Sequence, residues 1–157
     1  MLKVGDAAPT FLGRTTRGGS LSLRELSGKI VVLYFFRKAF TRNCTVETKG
    51  FRDNHPELAA IGAEVVGVSC DDMPTQCRFA TEHDVRFPMI ADDDRAISRA
   101  YDVFFPLLPI SHRVTYVIGR GGVIEGVFNH EFQVSRHLDE VVRFVRAHAR
   151  QSARPPA

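Results

Sequence analysis

Residues 30–36, Ile-Val-Val-Leu-Tyr-Phe-Phe, form an unbroken apolar run, β-branched at its start and aromatic at its end. Such a run reads as a strand buried on both faces, which requires covering layers above and below it. Residues 64–69 (EVVGVS) and 114–118 (VTYVI) repeat the character, and 123–128 (VIEGVF) follows the turn-forming Gly121-Gly122 pair. Between them, helices are predicted over about 43–60, 74–84, 94–101 and 134–149. The last sets Val134, Leu138, Val141, Val142 and Val145 in one stripe, with Arg136, Arg143, Arg146 and Arg150 on a solvated face. Near the N-terminus, Gly18-Gly19 marks a hairpin between short segments around Thr10–Leu12 and Ser20–Leu23. The order β-β-β-α-β-α-α-β-β-α predicts an α/β fold: a mixed central sheet, helices on both faces and an N-terminal β-hairpin.

The chain has 157 residues, 44% apolar and 25% charged. A single domain of this length buries about 70% of the surface its unfolded chain exposes, so it needs no metal or disulfide to fold. One domain is expected over 1–149, with 150–157 as a disordered tail. No apolar run approaches the ~20 residues that span a bilayer, and the first 20 residues lack a signal-peptide core. The expectation is a soluble cytoplasmic protein without a membrane partner. A net charge of +3 is too small to indicate nucleic acid. Three cysteines, Cys44, Cys70 and Cys77, are an odd count, which argues against a purely structural disulfide framework.

Cys44 has the most informative surroundings. It follows the buried strand by one short loop and stands at the predicted start of a helix. Arg37, Lys38 and Arg42 supply three nearby cations, and no anion lies between positions 37 and 44. Helix N-terminal N–H groups and adjacent cations both favour a thiolate over a thiol. Thr41, three residues earlier, can direct its hydroxyl to the sulfur or cap the helix. Read alone, these features fit either a reactive thiol or a buried structural cysteine beside a cap.

The stretch Phe36–Asp53, FRKAFTRNCTVETKGFRD, resembles the peroxidatic-cysteine segment of the peroxiredoxins. Within the thiol-specific-antioxidant and alkyl hydroperoxide reductase family it is most similar to the Q type, also called bacterioferritin-comigratory-protein-like. The family pattern there is Pro-x-x-x-Thr-x-x-Cys, followed by Thr, a Glu and Phe-Arg-Asp. Thr41, Cys44, Thr45, Glu47, Phe51, Arg52 and Asp53 fall in register. Val4-Gly5-Asp6, Ala63–Ser69, Arg78-Phe79-Ala80, Phe87-Pro88 and Arg113-x-Thr115-Tyr116-x-Ile118 continue the likeness over nearly the whole chain. The resemblance implies a thioredoxin-like fold and a thiol-dependent peroxidase. Cys44 would attack a hydroperoxide and become a sulfenic acid, Thr41 would hold the peroxide, and Arg113 would stabilise the thiolate and the polarised oxygens.

Two departures from the pattern stand out. The family proline is Arg37 here, which adds charge in place of a rigid shielding ring. The usual Q-type resolving cysteine, five residues after the first, is Lys49. Cys77 is the leading alternative, one turn before the position of Ala80 where some relatives carry that thiol; Cys70 is a weaker one. A cycle using one protein cysteine and an external thiol is the remaining option. The reductant implied is thioredoxin, glutaredoxin or a low-molecular-weight thiol, acting on a monomer or homodimer. The competing reading is a catalytically weak thioredoxin-fold module that senses or binds through Cys44.

Other signals are weaker. Cys70, Cys77 and His83 match no usual zinc spacing, and no phosphate or dinucleotide loop is present, so neither metal nor cofactor is expected. The six histidines are dispersed and read as surface or capping residues. His112 is singled out because it adjoins Arg113 and can tune the site. Phe104–Pro109 is a small apolar loop suited to core or pocket lining.

Overall fold

A computed structural model of the protein describes residues 1–104, 112–129 and 133–152. A two-stranded hairpin, β1 (Leu12–Arg14) and β2 (Ser20–Ser22), turns through Gly18 and Gly19, both in the left-handed region where glycine carries no Cβ penalty. A 3₁₀ turn, Leu23–Leu26, follows directly. Then come β3 (Ile30–Phe35), α1 (Arg42–Ala60), β4 (Ala63–Ser69), α2 (Met73–Glu82), β5 (Met89–Ala91) and α3 (Ala96–Ala100). β6 (Val114–Ile118), β7 (Ile124–Asn129) and α4 (Val134–Ser152) complete the described chain. The central sheet has the order β5-β4-β3-β6-β7, parallel across β3–β4–β5 and antiparallel across β3–β6–β7.

The apolar run at 30–36 becomes the central strand, and all six residues of β3 are buried. Alternation divides them between two cores. Ile30, Val32 and Tyr34 face one side with Cys44, Phe51 and Leu58 of α1, Phe79 of α2, and Val141 and Val145 of α4. Val31, Leu33 and Phe35 face the other with Phe11, Ile97 of α3 and Tyr101. Burying a side chain of this size stabilises the fold by roughly 1.5–3 kcal/mol.

The strand that the sequence reading lacks is β5. Three residues are too few to carry a periodic signal, and β5 is defined by its pairing to β4 and by an isolated bridge from Thr15 to Ile90. The hairpin strands also sit slightly off the expected segments, because Leu23 enters the 3₁₀ turn. At the C-terminus, α4 runs through Ser152, three residues into the expected tail. The rest of that tail and residues Phe105–Pro109 of the apolar loop lie outside the described residues. Phe104 is described, and the guanidiniums of Arg95 and Arg99 lie over its ring. No helix among the described residues is long and apolar enough to cross a membrane.

Candidate active site

Cys44 is the third residue of α1 and is 0% exposed. The loop that delivers it leaves β3 at its carboxyl end and is pinned to the neighbouring strand end. The Asp71 carboxylate accepts from the Ala39 N–H at 2.8 Å and from the Ser69 hydroxyl at 2.6 Å. Phe40 takes a left-handed backbone conformation, φ 68°, and its ring packs edge-on against Phe79 of α2.

Arg113 reaches the sulfur because of sheet register. β3 and β6 are antiparallel with Phe35 opposite Val114, so Arg113 lies level with the start of the Cys44 loop. Arg113, Thr115 and Val117 alternate onto the face that holds Cys44. Arg113 is 2% exposed, and its Nη2 donates to Cys44 Sγ at 3.5 Å. Its Nη1 donates to Glu47 Oε1 at 3.0 Å. Burial works against the guanidinium charge, but Glu47 and Cys44 more than offset it and hold the pKa above its ordinary value. The site therefore keeps a full positive charge beside the thiol.

Glu47 follows Cys44 by about one turn of α1 and is fully buried. His137, on α4, is also fully buried; its Nε2 lies 2.6 Å from Thr115 Oγ1 and 3.4 Å from Glu47 Oε2. Tyr34 closes the apolar side, with its hydroxyl 3.1 Å from Thr48 Oγ1. Burial pushes its pKa well above the ordinary tyrosine value, and the nearby Glu47 and Cys44 push the same way, so the phenol stays neutral.

An open cleft lies over this buried group. Its walls include Arg37, Thr41, Arg42, Val46, Arg113 and Val134, so Arg113 belongs both to the cleft and to the sulfur's surroundings. Thr41 occupies the N-cap position of α1, but its hydroxyl makes no cap bond; it donates to the Lys38 carbonyl at 2.8 Å. The expected reach to the sulfur or the helix is thus replaced by a local turn closed within residues 38–41. Arg37, in the place of the family proline, is half-buried at the cleft wall. His112 is half-buried, its N–H donating to the Val103 carbonyl at 2.7 Å, and it is not among the residues lining the cleft.

The other two thiols sit on opposite sides of the sheet. Cys77 is half-buried on α2, whose Phe79 and Ala80 belong to the same core cluster as Cys44. Cys70 follows the end of β4 and its sulfur lies 3.7 Å from Ser98 Oγ of α3, on the other face. All three cysteines are free of disulfides in this structure. Among the described residues, no group of three potential metal ligands comes together.

Sequence reasoning thus brought Cys44 and Arg113 together and placed Thr41 and Arg37 at the cleft, but it missed His137 and gave Glu47 no role. The signal for His137 was available. It falls three residues after Val134 and four before Val141, inside the apolar stripe of α4, where a histidine needs a buried polar partner.

A five-stranded mixed sheet with helices on both faces, an appended hairpin, and a buried thiol under a strand-borne arginine define a thioredoxin-fold protein organised around one cysteine. The chain belongs to the AhpC/TSA family, whose pattern matches residues 4–127. It is 34% identical to chloroplastic peroxiredoxin Q of Populus jackii over 91% of this chain and 68% of that protein. Against peroxiredoxin Bcp of Escherichia coli strain K12 the identity is also 34%, over 94% of this chain and 98% of that one. The solved structure of peroxidoxin BcpB from Mycobacterium tuberculosis superposes with a TM-score of 0.86 at 30% identity, covering 94% of this chain and 98% of that one. A bacterioferritin comigratory protein of Xanthomonas campestris, described for its alkyl peroxide reduction activity, superposes with a TM-score of 0.83 at 27% identity, covering 92% and 99%. The protein is a thiol-dependent peroxidase.

Proposed function

We propose that Cys44 is the nucleophile of this peroxidase and that Arg113 and Thr41 act directly with it. The observation that carries the reading is the buried contact of 3.5 Å between Arg113 Nη2 and Cys44 Sγ. A fixed cation in a water-excluded site stabilises negative charge on sulfur far more than the same cation does in water. The Cys44 thiolate attacks one oxygen of the hydroperoxide. The S–O bond forms as the O–O bond breaks, two electrons pass from sulfur to the peroxide, and the departing oxygen takes up a proton. Water leaves from hydrogen peroxide, and an alcohol from an organic hydroperoxide. Thr41 turns its hydroxyl from the Lys38 carbonyl to the bound peroxide, and Arg37 adds positive potential at the cleft wall.

The sulfenic acid is then resolved by Cys77 on α2, which forms a disulfide and releases water, or by an external thiol. Cys77 is favoured over Cys70 because α2 packs on the Cys44 face of the sheet whereas Cys70 contacts α3. Thioredoxin, glutaredoxin or a low-molecular-weight thiol completes the cycle on a monomer or homodimer, and a reducing cytoplasm is the compartment that supplies such reductants.

Peptide mass spectrometry under non-reducing conditions, after one equivalent of hydrogen peroxide, tests this reading. A Cys44–Cys77 disulfide is the expected product. A sulfenic acid or external-thiol adduct on Cys44, with Cys70 and Cys77 still free, contradicts resolution by Cys77; an unmodified Cys44 contradicts the nucleophile assignment.

A further inference from the structure

We infer that His137 is a positioning residue for the Cys44 chemistry, holding Glu47 and through it the Arg113 guanidinium. The inference rests on the assignment of Cys44 and Arg113 above. His137 lies in the apolar stripe of α4 and is fully buried, an environment in which an imidazole is stable only with a polar partner. Two polar groups beside it belong to the scaffold of the site. Thr115 stands two residues after Arg113 on β6, and Glu47 about one turn after Cys44 on α1.

The geometry fixes which atom does the holding. Nε2 is the ring atom nearest Glu47, 3.4 Å from Oε2, close enough for charge and dipole to act on the carboxylate although no hydrogen bond joins them. The hydrogen bond of Nε2 is with Thr115 Oγ1 at 2.6 Å, which sets the ring's direction. Glu47 is then held at Oε1 by the Arg113 hydrogen bond at 3.0 Å, while Oε2 has the His137 ring beside it at an ion-pair separation of 3.4 Å, without a hydrogen bond.

A guanidinium is a rigid planar fork, so fixing Nη1 on Glu47 also fixes Nη2, the atom in contact with the sulfur. A carboxylate held at one oxygen only can swing about its side-chain torsions and carry the fork away from Cys44. α4 is therefore coupled through His137 to the polar groups around the sulfur, although the sulfur sits on α1 and its arginine beside β6. Among the described residues, the charged and titratable groups of this array include Cys44, Glu47, Arg113 and the neutral Tyr34.

The test uses His137→Leu, which removes the donor, and His137→Gln, which keeps an N–H near the place of Nε2. Two quantities are read on the full chain: the rate of Cys44 oxidation by hydrogen peroxide and the midpoint of the Cys44 thiolate titration by ultraviolet absorbance. His137→Leu is expected to slow oxidation by about tenfold, the loss of one close polar contact to a buried charged group, and to move the midpoint to higher pH. His137→Gln is expected to recover most of both. Adding Glu47→Gln to His137→Leu should cause little further loss, because the histidine acts through that carboxylate.

A folded His137→Leu with wild-type rate and midpoint overturns the inference, and so does a folded His137→Gln no better than His137→Leu. If His137→Leu does not fold, Thr115→Val carries the test, since it leaves the ring in place and removes only its anchor. A lowered rate and raised midpoint support the inference there, and wild-type values overturn it. The titration needs no turnover, so a failure of the peroxidase assignment, seen as unchanged peroxide consumption by Cys44→Ser, is read separately.

Discussion

Arg113 makes two contacts that a shorter or rounder cation cannot make together, one to Glu47 and one to the Cys44 sulfur. Arg113→Ala is expected to slow Cys44 oxidation by about 100-fold, the scale for removing one donor from a developing anion. It also lowers the thiolate fraction at neutral pH, measured by ultraviolet absorbance. Arg113→Lys should fall between, because an ammonium is a point charge that cannot span both acceptors. The loss should change little with added salt, since the pair is buried. At this scale the sequence was readable where chemistry repeats a spacing: Cys44 after Thr41, Arg113 before Thr115. It was silent where contact depends on the third dimension. Glu47 and His137 are 90 residues apart, and only the crossing of α1 with α4 makes them neighbours.

That crossing is tight at Gly50. A Cβ there would stand 2.2 Å from Leu138 Cδ2 and 3.3 Å from its Cγ, so the whole leucine side chain would have to move. Alanine normally stabilises a helix interior by roughly 0.5–1 kcal/mol over glycine. Here overpacking should reverse the sign, and Gly50→Ala is expected to destabilise by about 1–3 kcal/mol in urea denaturation. Leu138→Ala combined with it should recover part of the loss.

α2 makes a different prediction. Hydrogen bonds from the Thr75 side chain and from the Thr75 N–H, the latter at 2.9 Å, hold the Asp72 pKa below the usual 3.8. Asp72 therefore stabilises the fold above pH 3.8, and the contribution is lost as pH falls through the depressed folded value. The melting temperature of Asp72→Ala should lie below wild type at neutral pH, with the gap closing under acid. Four helices and six strands were legible from period and turn residues. β5 was not, because three residues gain their strand identity from partners on β4 rather than from any pattern of their own.

Across the whole molecule, the sheet divides the chain into two cores and sorts its cysteines. Cys44 and the helix bearing Cys77 share one core, while Cys70 meets α3 across the sheet. The odd cysteine count was visible in the sequence, but this sorting was not, since it follows from strand parity and helix placement together. Cys44 is fully buried beneath a cleft walled by Arg37, Arg42 and Arg113, so the fold sets three cations over the proposed nucleophile. The most direct test of a buried Cys44–Arg113 pair as the seat of activity is the second-order rate constant for hydrogen peroxide consumption. It should be measured side by side for wild type, Cys44→Ser and Arg113→Ala. The expected result is a wild-type rate far above that of a free thiol, a steep loss in Arg113→Ala and none of the enhancement left in Cys44→Ser. A wild-type rate equal to that of free thiol, or one unchanged by Cys44→Ser, contradicts the account.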